Sequence, residues 1–160
     1  MALYDIYSTR QTITLAATTS TAVVSLYGTA AKRLWLVGVR VKLGATGAVA
    51  GNDVIFTLAR PSATNTGTGL ASGVAHDFSA PASIGQIAVA WSTAPIIGTT
   101  LAEYGVPQTA GSMWEEFPPG GDEWGVPAVA NANANAGVHL FAQATVATST
   151  PVSYDFIWSE

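Results

Sequence analysis

The chain has 160 residues, of which 49% are hydrophobic and only 10% charged, and its net charge is −4. That length fits one domain spanning 1–160, and a chain of about 150 residues buries roughly 70% of its unfolded surface, enough for a core without staples. The six basic residues, Arg10, Lys32, Arg33, Arg40, Lys42 and Arg60, form no stripe able to neutralise a run of phosphates, which argues against a nucleic-acid partner.

A typical soluble domain is about 25% charged. Here Thr, Ser, Asn, Gly and Ala take the place of Lys and Glu, so the outer surface should be nearly neutral and partly apolar. Such a surface resembles an interface more than a solvated exterior. The expectation is a protein that assembles with itself or with a larger object. No cysteine is present, so there is neither a disulfide framework nor thiolate chemistry. The opening residues Met1 to Ser8 lack a basic segment followed by an apolar run, the mark of a secretory leader. No apolar stretch approaches the roughly 18 residues of a spanning helix. Synthesis in a cytoplasm, without a membrane partner, is the expectation.

Taken in chain order, the segments read as strands. Gln11 to Leu15 alternates polar and apolar residues, the two-residue period of a strand with one wet face. Ala22 to Tyr27 follows a turn-like Thr18-Thr19-Ser20-Thr21. Between Lys32 and Leu43, residues Trp35, Val37, Val39, Val41 and Leu43 share one face, and Gly38, Arg40 and Lys42 the other; a helix would repeat at three and four. Asp53 to Arg60 reads as a strand ended by Pro61, which cannot donate to a ladder. It is expected to form a long hairpin with 32–43.

Gly85 to Ser92 places Ile87, Val89 and Trp91 together. Ser112 to Phe117 and Asp122 to Val126 flank Pro118-Pro119-Gly120-Gly121, a turn composition that predicts a hairpin tip. Val138 to Val146 points Val138, Leu140, Ala142, Ala144 and Val146 inward. Val152 to Trp158 does the same with Val152, Tyr154, Phe156 and Trp158. Long loops are expected at 61–84 and 93–111, with one possible helical turn at Thr100 to Tyr104. The second loop is apolar, through Ile96, Ile97, Leu101, Tyr104 and Val106, and would either meet a partner or fold back over an open end. Ala130 to Ala136 alternates Ala and Asn and reads as an exposed connection. About eight or nine strands without a helix predict an all-β, antiparallel β-sandwich or barrel.

Chemistry is sparse. His76 beside Asp77 and the lone strand histidine His139 do not make the set of about three ligands that a metal requires. Glu115, Glu116, Asp122 and Glu123 could in principle act as a carboxylate pair on a glycoside or hold calcium. Adjacent strand residues point to opposite faces, however, and a solvated turn explains the charges. No nucleophile elbow or phosphate loop occurs. The expectation is no catalytic residue, no metal and no cofactor. Of the five tryptophans, Trp35, Trp91, Trp114, Trp124 and Trp158, Trp114 and Trp124 frame the acidic turn and are expected at a contact surface with Ile96, Ile97, Leu101 and Tyr104. An aromatic strand face can also stack on sugars, so a carbohydrate-binding, lectin-like sandwich is the competing reading.

The order of three segments, Lys32-Arg33-Leu34-Trp35-Leu36-Val37-Gly38-Val39, then Trp114-Glu115-Glu116-Phe117-Pro118-Pro119-Gly120, then Ile157-Trp158-Ser159-Glu160, resembles small Ala/Thr/Gly-rich virion proteins of tailed bacteriophages. The closest likeness is to capsid decoration (cement) proteins. The resemblance implies a jelly-roll-like sandwich, assembled as a homotrimer on the major capsid protein and located on the virion surface. A head or tail fibre subunit is a near variant. No residue role carries over, because no motif in the likeness assigns one.

Overall fold

The computed structural model describes residues 3–7, 11–28, 34–44, 50–77, 79–108, 113–116, 124–126 and 137–160, and among them there is no helix. The two-residue period of the sequence is realised in fifteen strands. They are β1 (Leu3–Tyr7), β2 (Gln11–Leu15), β3 (Thr21–Tyr27), β4 (Leu34–Leu43), β5 (Asp53–Pro61), β6 (Thr66–Thr68), β7 (Ala71–Ser72) and β8 (Val74–Ala75). There follow β9 (Gln86–Ala88), β10 (Ala90–Thr93), β11 (Ile97–Pro107), β12 (Met113–Glu116), β13 (Trp124–Val126), β14 (Val138–Ala144) and β15 (Thr148–Ser159).

The excess over the expected eight or nine has a simple origin. β1 and β2 lie end to end along one side of β15, and β12 and β13 end to end along the outer side of β4. Taking each pair as one position, one sheet runs β1/β2, β15, β4, β12/β13, and the other runs β3, β14, β5, β11, all antiparallel. In chain order these are positions 1-8-3-6 over 2-7-4-5, the double Greek key of a jelly roll. The five remaining strands, β6 to β10, all come from the segment between β5 and β11.

Several expectations are corrected. The strands 34–43 and 53–61 form no hairpin: β4 pairs with β12, β13 and β15, and β5 with β11 and β14, in opposite sheets. Each has an apolar face, and only across a sandwich can both faces bury each other. β12 and β13 are no hairpin either. Both run antiparallel to β4, Glu116 opposite Val39 and Trp124 opposite Leu36, so they point the same way. The Pro118 to Gly121 turn itself, like Ala130 to Ala136, lies outside the described residues. The long loops are partly strand: 61–84 contains β6, β7 and β8, and 93–111 contains the eleven-residue β11, which includes the expected helical turn at Thr100 to Tyr104.

The inward face of β15, Val152, Tyr154, Phe156 and Trp158, is as expected, and all four are buried. β4 is different. Opposite the step from Ile157 to Trp158 it advances from Gly38 to Leu36, so Val37 is an extra residue, a β-bulge. The bulge exchanges the faces: Leu34 and Leu36 join Val39, Val41 and Leu43 in the core, and Trp35 and Val37 turn outward, half-buried. Phe56 and Leu58 of β5, Leu140 of β14 and Val24 of β3 complete the core from the other sheet. Each fully buried side chain of this size stabilises the fold by about 1.5–3 kcal/mol. Val146, expected inward, is exposed, and Val89, expected on one face with the buried Ile87, is exposed too, because the chain bends between β9 and β10 and after β14.

Candidate functional site

The two long sides of the sandwich are finished differently, and that difference locates the candidate site. On the β1/β3 side, β8 adds to β1, β9 adds to β3 and β7 adds to β9, so the segment after β5 closes both sheets. Trp158 is the anchor there. Tyr4 stacks on its ring at 6.3 Å, and Gly73 and Gly85 press against it so closely that a Cβ on either would lie 2.2 or 2.5 Å from the indole. The Trp158 Nε1–H donates to the Glu160 carboxylate (3.0 Å), which also accepts from Ser83 Oγ (2.6 Å) and the Ile84 and Gly85 amides (3.0 and 2.9 Å). Burial pushes this carboxyl up, but the hydrogen bonds outweigh it and hold Glu160 below its ordinary range.

The same segment covers the outer face of the second sheet with a ribbon, β6 paired to β10. Beneath it lies a polar cluster. Ser25 Oγ accepts the Trp91 Nε1–H at 2.9 Å and meets His139 Nδ1 at 2.6 Å, and Tyr27 donates its hydroxyl proton to Asn65 Oδ1 at 2.7 Å. Burial raises the Tyr27 phenol above its ordinary value. Ser25 and His139 stand at the distance of a nucleophile and its base, yet both are wholly buried. Their contact joins neighbouring strands β3 and β14, and the bonds from Trp91 to Ser25 and from Tyr27 to Asn65 fasten the ribbon to the sheet. His139 faces away from Leu140 and into this packing. A second buried knot closes one end of the sandwich, where Asn52 joins Gln108, Thr145 and Val146 through hydrogen bonds of 2.7 to 3.1 Å.

On the β11/β12 side no such cover exists among the described residues. β11 pairs only with β5 and leaves its other edge free. Of the residues expected at a contact surface, Ile96 is 60% exposed just before β11 and Tyr104 is 53% exposed on it. Ile97 and Leu101 are half-buried, Leu101 against the core. Trp114 is placed otherwise: at 3% exposure it is a core residue, stacked between Phe56 (6.3 Å) and Tyr104 (6.4 Å). Trp124 lies on β13 opposite Leu36, with its side chain outside the described set.

Charge on the outer face of the first sheet forms a row across the strands. Arg40 reaches Glu115 at 3.2 Å on one side and Asp155 at 3.5 Å on the other. Burial, reinforced by the nearby Asp5, raises the Asp155 carboxyl above its ordinary value against the pull of Arg40 and His76. His76 pairs with Asp5 across β8 and β1 at 2.9 Å, not with its sequence neighbour Asp77, which instead caps the Ser79 amide and hydroxyl. Among the described residues no three side chains converge as metal ligands. Glu115 is spent on Arg40; the Glu116 side chain, Asp122 and Glu123 lie outside the described set.

One signal was readable in the sequence and is not captured by listing basic residues. All six Lys and Arg fall within residues 1–60, whereas 61–160 holds eight of the ten acids and no base. Of those acids Glu103 lies on β11 and Glu115 and Glu116 on β12, while Asp122 and Glu123 lie outside the described residues. No protein-family model matches the chain, and no curated protein matches it in sequence.

Proposed function

We propose that this chain is a structural virion protein that binds the outer surface of a tailed-phage capsid and reinforces it. The observation that carries the reading is the β11 edge, which pairs with no described strand other than β5 and has Ile96 and Tyr104 exposed beside it, whereas strands of the chain itself cover the β1/β3 side. The jelly roll is a scaffold of capsid proteins, lectins and cupins alike, so the fold supports the reading only by analogy. The charge-poor composition and the resemblance of the three sequence segments to decoration proteins support it further.

The mechanism is multivalent binding. Apolar side chains at the edge lose water on docking, and a trimer bridging neighbouring capsomers makes every contact after the first intramolecular. A sugar-binding reading needs an exposed aromatic platform. Trp114 and Trp158 are buried and Trp91 gives its indole N–H to Ser25, whereas Trp35 and Tyr104 are partly exposed and the Trp124 side chain lies outside the described residues.

The test is co-sedimentation of the purified chain with expanded capsids, together with light scattering of the free protein. The expected result is saturable capsid binding and an oligomer. A monomer that stays in the supernatant with every capsid preparation would refute the proposal.

A further inference from the structure

We infer that His76 and Asp5 form a proton-operated latch, which holds the edge strand β8 against β1 when the imidazole is charged and loosens it as pH rises through the histidine range. The latch acts whether or not the molecule meets a capsid.

The strand that it holds has few other ties. β8 consists of Val74 and Ala75, and its ladder to β1 pairs only Ala75 with Tyr4 and Val74 with Asp5. One further backbone bond runs from the His76 amide to the Leu3 carbonyl at 3.0 Å. Val74 is 66% exposed, so its side chain adds little burial. Short, exposed edges of this kind open locally long before the molecule unfolds. Against so brief a ladder, the contact of His76 Nε2 with Asp5 Oδ2 at 2.9 Å is a large share of what keeps β8 in place.

The charges around the pair lie on every neighbouring strand. Asp155 on β15 acts on both Asp5 and His76, and its Oδ1 is buried without a hydrogen-bond partner. Its other oxygen meets Arg40 of β4 at 3.5 Å, and Arg40 also reaches Glu115 of β12 at 3.2 Å. Lys42 of β4 is exposed on the same face as Arg40. Asp77 caps the Ser79 amide, and Glu160 is engaged with Trp158 and Ser83. Histidine is the side chain that changes charge between about pH 5 and 8. A protonated His76 therefore adds a charge to its bond with Asp5 and faces a second carboxylate behind it. A neutral His76 can keep the hydrogen bond but not the charge attraction. That attraction is complete below the histidine range while Asp5 stays ionised, and it is lost as pH rises through the range.

An opened β8 bares the edge of β1 opposite Tyr4 and Asp5, whose backbone groups it otherwise covers. Trp158 stays seated on Tyr4, Gly85 and Glu160. The proton thus decides how firmly this edge of the first sheet is sealed.

The experiment is hydrogen exchange of the full chain from pH 5.5 to 8.5, corrected for the intrinsic pH dependence of exchange. The reporter is the His76 amide, which exchanges only when its bond to Leu3 opens. Its protection is expected to fall about threefold across the range, the size of a part-exposed ion pair. The midpoint should coincide with the titration of the His76 ring, followed by its proton resonances. His76→Gln and Asp5→Asn, both on part-exposed side chains, should show the weaker protection already at pH 5.5 and no further fall. A His76 amide indifferent to pH overturns the inference. So does protection that rises with pH, or an unchanged pH dependence in either variant, since His139 or another group would then be the cause.

Discussion

At the β1/β3 side of the sandwich the chain folds the segment between β5 and β11 back across both sheets; at the β11/β12 side no described strand covers β11. Both sides use a tryptophan, and the two are treated differently. Trp158 is wholly buried, held by Tyr4, two glycines and a carboxylate that accepts its indole proton. Trp114 is buried too, but its outer lid is the ring of Tyr104, itself half in solvent. A covered edge is defended by packing around the buried ring. An uncovered one leaves its hydrogen-bonding groups and one aromatic face available, which is the physical requirement for adding another strand.

The comparison breaks most visibly at Trp158. Trp158→Ala removes the anchor of the closed side and leaves a cavity between the sheets, so it should cost about 3–5 kcal/mol in denaturant unfolding. A loss under about 1 kcal/mol would mean that the insertion does not seal that edge.

Glu160→Gln sharpens the same side through pH. The folded carboxyl titrates below its ordinary value of 4.5, so its contribution is fully present above that value and is lost as pH falls through the folded one. At neutral pH the variant should be less stable by about 1 kcal/mol, after discounting charged hydrogen bonds for partial exposure. Below pH 4.5 the gap to wild type should close. A gap that stays constant down to acid would show that the charge contributes nothing.

The smallest effect belongs to the open side. Tyr104→Ala removes a half-exposed ring from one stacking contact and should cost no more than about 0.5–1.5 kcal/mol. Its Tm shift should therefore be several times smaller than that of Trp158→Ala, read by the same calorimetric scan.

Much of the fold was legible in the residues, and the failures share a cause. The face of β15 and the polar alternation of β2 follow from a two-residue period that nothing interrupts. In β4 the same period misleads past Gly38, because one extra residue in a bulge exchanges the faces without any mark in the hydrophobic pattern. The eleven residues of β11 read as a loop because a strand at an edge, with seven exposed positions that include Gly98 and Gly105, has no need of a continuous apolar face. His139 reads as a polar position on an outer face, and it is one; the ribbon that covers it comes from residues more than forty positions earlier in the chain. The exposed Ile96 and Tyr104 were visible as apolar side chains in a segment read as a loop, whereas Trp114 could not be told from them until the opposite sheet was placed against it.

What the sequence determined alone is therefore the class: alternating apolar residues, no helical spacing and few charges admit little besides a sandwich with a neutral skin. Which sheet each strand joins and which edge is closed were decided only in three dimensions. Pairing partners lie up to about 150 residues apart, as with Leu3 and Ser159, and an alternating pattern states which side of a strand is buried but never against what.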